Sequence, residues 1–152
     1  RELFNRITGM VAICEDLPEL HNTVSLDPEL KDSDGIPAPK ITYKLSDNSR
    51  RMLDYAVDRG AEILEAAGAT DVMTEAPIAV GGWHLMGTTR MGVDPEHSVV
   101  NEWGRSHDVR NLFVVDGSIF VTSAGVNPTR TIQALSLYIG DTIKKRLTTL
   151  FD

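Results

Sequence analysis

Hydrophobic positions along the chain follow two rhythms. A period of two marks the amino-terminal third. His21 to Leu26 alternates through Thr23, Val24, Ser25 and Leu26 and stops at Asp27-Pro28, and Ile41, Tyr43 and Leu45 alternate with Thr42 and Lys44. Turn residues fill Asp32 to Pro39 between them, including Asp34-Gly35 and two prolines. The pattern predicts an antiparallel strand pair joined by an acidic turn. Arg1 to Glu15 carries Ile7, Met10, Val11 and Ile13 and is expected to be a further strand. From Asp47 the period lengthens. Met52, Leu53, Ala56, Val57, Ile63, Leu64 and Ala67 trace one face, with Arg51, Asp54, Asp58, Glu62 and Glu65 opposite. This predicts a helix over 47–67, capped by Ser46, stopped at Gly68 and packed on a sheet without chemistry of its own. Asn111 to Asp116 (Asn-Leu-Phe-Val-Val-Asp) is a compact apolar run expected to be a buried strand. A last helix is expected over Pro128–Leu147, with Asn127 as N-cap, Pro128 as first helical residue, and Ile132, Leu135, Ile139, Ile143 and Leu147 inward.

Composition narrows the class. The 152 residues are 41% hydrophobic and 24% charged, enough apolar material for a core. The net charge of -7 argues against a nucleic-acid binder, which would show a basic patch. The acidic loop around Asp32 and Asp34 reads as a solvated turn. The single cysteine, Cys14, permits no internal disulfide and reads as a small buried apolar residue. No apolar run is long enough to span a bilayer and no signal peptide is visible. The chain reads as a soluble piece whose compartment, cytoplasmic or periplasmic, stays open.

Four features could carry chemistry. His84 lies in a glycine-punctuated stretch, Gly81 to Gly92, too irregular for a core helix. A histidine there can serve as general acid or base, or be a hydrogen-bonded structural residue. His97 and His107, with His84 and Cys14, lack metal-ligand spacing, and no metal is expected. Asp116, followed by Gly117 and Ser118, ends the apolar run, either to hold a ligand hydroxyl or simply to make a turn. Asn127-Pro128-Thr129 opens the last helix, where free N–H groups and the helix dipole favour an anion. Capping and ligand binding compete for the Asn127 side chain.

Taken in order, Gly82 to Gly92 (GWHLMGTTRMG), Ser98-Val99-Val100-Asn101, Asn111 to Ser118, and Asn127-Pro128-Thr129 resemble the carboxy-terminal region of glucose-methanol-choline (GMC) oxidoreductases. The match covers roughly the last 75 residues and extends more weakly to Asn22–Leu26 and Asp34–Tyr43. The resemblance implies an FAD enzyme that oxidises an alcohol CH–OH group, with sugars and polyols favoured. His84 takes the position of the catalytic histidine and Asn127 that of its partner. Asp116 and Gly117 match the segment along the FAD pyrophosphate and ribityl chain, and Asn127, Pro128 and Thr129 the turn facing the flavin pyrimidine edge. The implied fold class is α+β: residues 1–75 as part of an antiparallel substrate domain with a packed helix, and residues 76–152 as the region completing the active site and the FAD domain with its terminal strand and helix.

Two departures stand out. Val121 follows Ser118-Ile119-Phe120 where the family often has proline nearby, and the chain contains no G-x-G-x-x-G fingerprint. The expectation is a carboxy-terminal fragment that partners a missing amino-terminal FAD-binding part, is inactive alone, and self-associates through uncovered surface. Two rivals remain. One is a non-catalytic binding or assembly module of the same fold. The other is a small hydrolase using His84 with Asp116, whose nucleophile could only be Ser118 or Ser123, neither in a G-x-S-x-G elbow.

Overall fold

A computed structural model of the chain describes residues 4–78, 82–122 and 125–149. The architecture is α+β, with two antiparallel strands and two long helices among the described residues. Two compact units divide it. The first comprises Arg1–Asp16 with Leu45–Gly81, and the second Leu17–Lys44 with Gly82–Asp152.

In the first unit, α1 (Asp47–Ala66) follows the expected stripe closely. The Ser46 hydroxyl accepts from the Ser49 amide, so one free donor of the first turn is satisfied by the residue type best suited to it. The Ser46 hydroxyl also donates to Ser49 Oγ at 3.0 Å, and the buried Ser49 passes the chain to Asp16 Oδ1 at 2.7 Å. At the far end, Gly68 (φ 95°) donates to Glu65 and Ala69 donates to Leu64, the paired bonds of a Schellman stop. Met52, Leu53, Ala56, Val57 and Leu64 are only half-buried, and Ile63 is 55% exposed. The segment before α1 is not a strand. Among the described residues 6–16 have no ladder partner, and Ile7, Met10, Val11 and Ile13 stay exposed, because apolar β-formers need a neighbouring edge before they become a strand. Cys14 is half-buried, its thiol 4.0 Å from the Met52 carbonyl, not fully enclosed as expected.

In the second unit, β1 (Thr23–Lys31) pairs antiparallel with β2 (Pro37–Thr42), in register from Thr23↔Thr42 to Leu26↔Pro39 and again at Lys31↔Pro37. The alternation predicted β1 to stop at Asp27-Pro28. It bulges there instead and resumes. Pro28 has no N–H for a ladder, and Asp27 Oδ1 accepts the Glu29 and Leu30 amides, each at 2.9 Å. The acidic turn closes on Asp32, whose carboxylate takes the Asp34 and Ile36 amides. At the open end, Asn22 Oδ1 accepts from the Lys44 amide at 2.7 Å.

The core of the second unit is Val100, Ile119 and Ile139, with Met91, Val114, Phe120, Leu135 and Ile143 packed against them. Ile139, Leu135 and Ile143 come from α2 (Thr129–Arg146). Leu147, expected inward, lies past the helix end and is 60% exposed. The Asn111–Asp116 run is not a buried strand. It makes one isolated bridge, Phe113 to Arg105, while Leu112 and Val115 are exposed. β-forming residues without strands on both sides have no ladder to join. Short backbone pairings replace long strands here: Val100 bridges both Met91 and Ser106, and Val114 donates to the Gly104 carbonyl at 2.7 Å.

The accessible surface is 12189 Å², whereas two separate folded bodies of the units' sizes would together expose about 9,100 Å². Exposed large apolar side chains occur in both units, among them Tyr55 and Ile63 in the first and Val24, Leu26 and Ile41 in the second.

Ser46→Ala should cost about 1 kcal/mol in urea unfolding, through loss of the cap. Gly104 has φ 67°, and a Cβ there would collide with the Val114 carbonyl oxygen. Gly104→Ala should therefore be worse, at about 2–3 kcal/mol.

Candidate functional site

The residues singled out by sequence all lie in the second unit. His84 follows the exposed Trp83 and adopts φ 60°, a left-handed backbone that is strained for any residue but glycine. It is half-buried, and its imidazole makes no hydrogen bond to a described residue. Immediately after it, the chain is pinned. Gly87, Thr89 and Met91 donate their amides to the carbonyls of Gly117, Ser118 and Ile119, at 3.3, 2.9 and 2.8 Å. Alternate residues of the His84 stretch are thus bonded to the segment that follows Asp116.

Asp116 caps the short 3₁₀ turn Gly117–Ile119. Its Oδ1 accepts from Ser118 Oγ at 2.6 Å and from the Ser118 amide at 2.8 Å. The Ser118 hydroxyl, followed by its amide, holds the carboxyl below the usual aspartate range. Gly117 is where three segments converge. A Cβ at this position would meet Ile132 Cδ1 of α2 at 3.2 Å, Met86 Cγ at 3.4 Å and the Leu85 carbonyl at 3.6 Å. Glycine is what lets the His84 stretch, the Asp116 turn and the first turns of α2 approach this closely. Ser136 of α2 adds a tie, its hydroxyl reaching the Val115 carbonyl as well as Ile132 O.

The opening of α2 differs from expectation in one respect. Pro128 is the N-cap, with no side-chain cap bond, and the first helical bond runs from Ile132 N to Pro128 O. Asn127 lies one residue earlier and does not cap the helix. Proline fixes the entry angle without a side-chain acceptor, so the competition between capping and ligand binding ends with the Asn127 amide exposed and, among the described residues, unbonded. The first turn contains no acidic residue, which leaves the amides of Thr129, Arg130 and Thr131 and the positive end of the helix uncompensated. An open depression of about 490 Å³ lies here, lined by Val126, Asn127, Thr129 and Arg130.

The other histidines serve the loops. His97 Nδ1 lies 2.8 Å from Asp94 Oδ2, and His107 Nε2 bonds Ser98 Oγ at 3.0 Å and the Gly92 carbonyl at 3.2 Å. Ser118 has no histidine partner among the described residues, its hydroxyl being committed to Asp116 and Thr89. Ser123 lies outside the described residues, as does Gly81.

The carboxy-terminal domain model described as GMC oxidoreductase matches residues 18–136. The chain belongs to the GMC oxidoreductase family. This GMC chain is 46% identical, across its whole length, to 2-methyl-1,2-propanediol dehydrogenase of Mycolicibacterium austroafricanum, of which it covers 28%. Over 82% of its length it is 44% identical to paromamine 6'-oxidase of Streptomyces fradiae, covering 23% of that protein. Over 85% it is 39% identical to the fructose dehydrogenase large subunit of Gluconobacter japonicus, covering 24%. The chain spans about a quarter of the length of these relatives.

Sequence reasoning weighed Ser118 only as a nucleophile and passed over Thr89 and Ser136. The spacing Asp116-x-Ser118 is an Asx-turn signature that could have pointed to Ser118 as Asp116's partner. Nothing local pairs Thr89 with Ser118, 29 residues away.

Gly117→Val should force Ile132 and Met86 apart and cost about 1–3 kcal/mol as overpacking, read by thermal unfolding of the whole protein.

Proposed function

We propose that this chain is the carboxy-terminal part of an FAD-dependent oxidoreductase acting on a CH–OH group, with a diol, sugar or other polyol as substrate. Residues 1–75 belong to the substrate domain. Residues 76–152 complete the active site. The observation that carries the reading is the convergence at Gly117, which gathers the His84 stretch, the Asp116 turn and the start of α2 into one packed assembly. Three relatives named for 2-methyl-1,2-propanediol, paromamine and fructose support the substrate class.

The residues present suit FAD. The start of α2, which lacks a side-chain cap, would offer its amides and positive dipole end to the electron-rich edge of the flavin ring, and Asn127, Pro128 and Thr129 are the residues that would hold that edge. Asp116 offers a carboxylate to ribityl or ribose hydroxyls, and Gly117 a backbone without a side chain. When bound, FAD supplies the acceptor for the carbinol hydride. His84 takes the hydroxyl proton on an imidazole nitrogen as the C=O bond forms, and returns it in the reverse direction. Asn127 donates its amide N–H to the substrate oxygen and holds it in line. The left-handed backbone of His84 is strain retained to aim the ring. The amino-terminal FAD-binding part of the same protein supplies the other walls and covers the apolar surface left open here.

In the whole protein, His84→Ala should leave FAD bound and slow flavin bleaching by about a hundredfold or more under anaerobic alcohol. Bleaching at the parent rate would remove His84 from the chemistry. Asn127→Ala should slow bleaching too, yet shift stability by less than about 0.5 kcal/mol, because Asn127 is not the cap. The 152 residues expressed alone should show no turnover and should self-associate in light scattering. A compact, flavin-loaded, active monomer would refute the partial-site reading.

A further inference from the structure

Three side chains from two distant stretches form a directed hydrogen-bond relay. An ionised carboxylate only accepts, so the Ser118 hydroxyl must donate its one proton to Asp116 Oδ1 at 2.6 Å. The contact of 2.5 Å between Ser118 Oγ and Thr89 Oγ1 then has a single direction, with Thr89 donating. The Thr89 amide also donates to the Ser118 carbonyl at 2.9 Å, so Thr89 grips Ser118 by backbone and side chain together. Oδ1 thereby receives two bonds, while Oδ2 makes none to a described residue.

We propose that Thr89 and Ser118 are positioning residues whose relay commits one oxygen of Asp116 to the protein and keeps the other, anionic and oriented, for a hydroxyl-bearing ligand. Resting on the functional reading above, that ligand is the polyol chain of the cofactor. The relay also couples the two halves of the site. Thr89 lies five residues after His84 on the pinned stretch, so the segment that aims the imidazole is also the one that orders the carboxylate. Ser118, through its hydroxyl and then its amide, accounts for the lowered carboxyl. His84 and Arg90 on the pinned stretch, and Arg130 at the start of α2, are the charged or titratable groups on the packed elements, and none contributes to it. The sign follows. Asp116 stays anionic into acid while the relay is intact, and loss of the relay moves its protonation to higher pH.

The test is FAD retention by the whole holoenzyme from pH 8 down to pH 4, read by release of flavin fluorescence, for Ser118→Ala, Thr89→Val and Thr89→Ser. Ser118→Ala should release FAD at higher pH than the parent, with affinity weakened by about twofold at pH 4, where a carboxyl in its ordinary range is roughly half protonated, and parent-like affinity at pH 8. Thr89→Val should shift the same way by less, and Thr89→Ser should restore the parent curve. Equal weakening at every pH would mean simple packing loss and would overturn the proposal, as would a parent-like curve in Ser118→Ala. A carbon-13 titration of the Asp116 carboxyl needs no bound flavin. Its midpoint should rise in Ser118→Ala, and an unmoved midpoint rejects the relay even if the protein takes up no FAD. Failure of the functional reading is separate, since it appears as unchanged bleaching in His84→Ala.

Discussion

Three backbone hydrogen bonds, from Gly87, Thr89 and Met91 to Gly117, Ser118 and Ile119, hold the second unit's chemistry together. They join stretches about thirty residues apart, neither of which is a regular strand. Their geometry depends on Ile119 being fully buried against Ile139 of α2 and Val100. If that small cluster loosened, the His84 stretch would lose its backing and the Asp116 turn its neighbour. A chain with so few long strands relies on such ties, because each isolated backbone bond contributes only about 1 kcal/mol unless packing holds its ends.

The weakness of the remaining core has a consistent physical reading. α1 is well capped and well stopped, yet its apolar stripe is half-open. The hairpin has exposed apolar residues along both strands, and a lone hairpin is marginal in water. On the proposed reading, both elements await a cover that the rest of the polypeptide provides. That the chain spans about a quarter of its relatives fits this picture.

Much of the candidate site was legible because glycine and proline punctuate it. The Gly82–Gly92 stretch, Asp116-Gly117 and Asn127-Pro128-Thr129 could be read in order from residue types alone. What could not be read was which backbone groups those glycines serve. Gly117 matters because Met86 and Ile132 crowd it, and neither neighbour is adjacent in sequence. Asn127 as N-cap was a sound local inference, since asparagine before proline at a helix start usually caps. The helix begins one residue later because its first bond runs from Ile132 N to the Pro128 carbonyl, which makes Pro128 the cap residue.

By itself the sequence determined what is local: the span of α1 with its serine cap and glycine stop, and the antiparallel pair around an acidic turn. These depend on contacts within a few residues, which composition and periodicity encode directly. Only the tertiary structure decided what requires partners. Among the described residues, 6–15 and Asn111–Asp116 have strand-forming residues but no edges to pair with, so neither became a strand. Thr89, Ser118 and Asp116 became one relay because the ladder brings position 89 against position 118. Side-chain chemistry says what each group can do; which groups meet is set by packing between stretches whose separation along the chain carries no local signal.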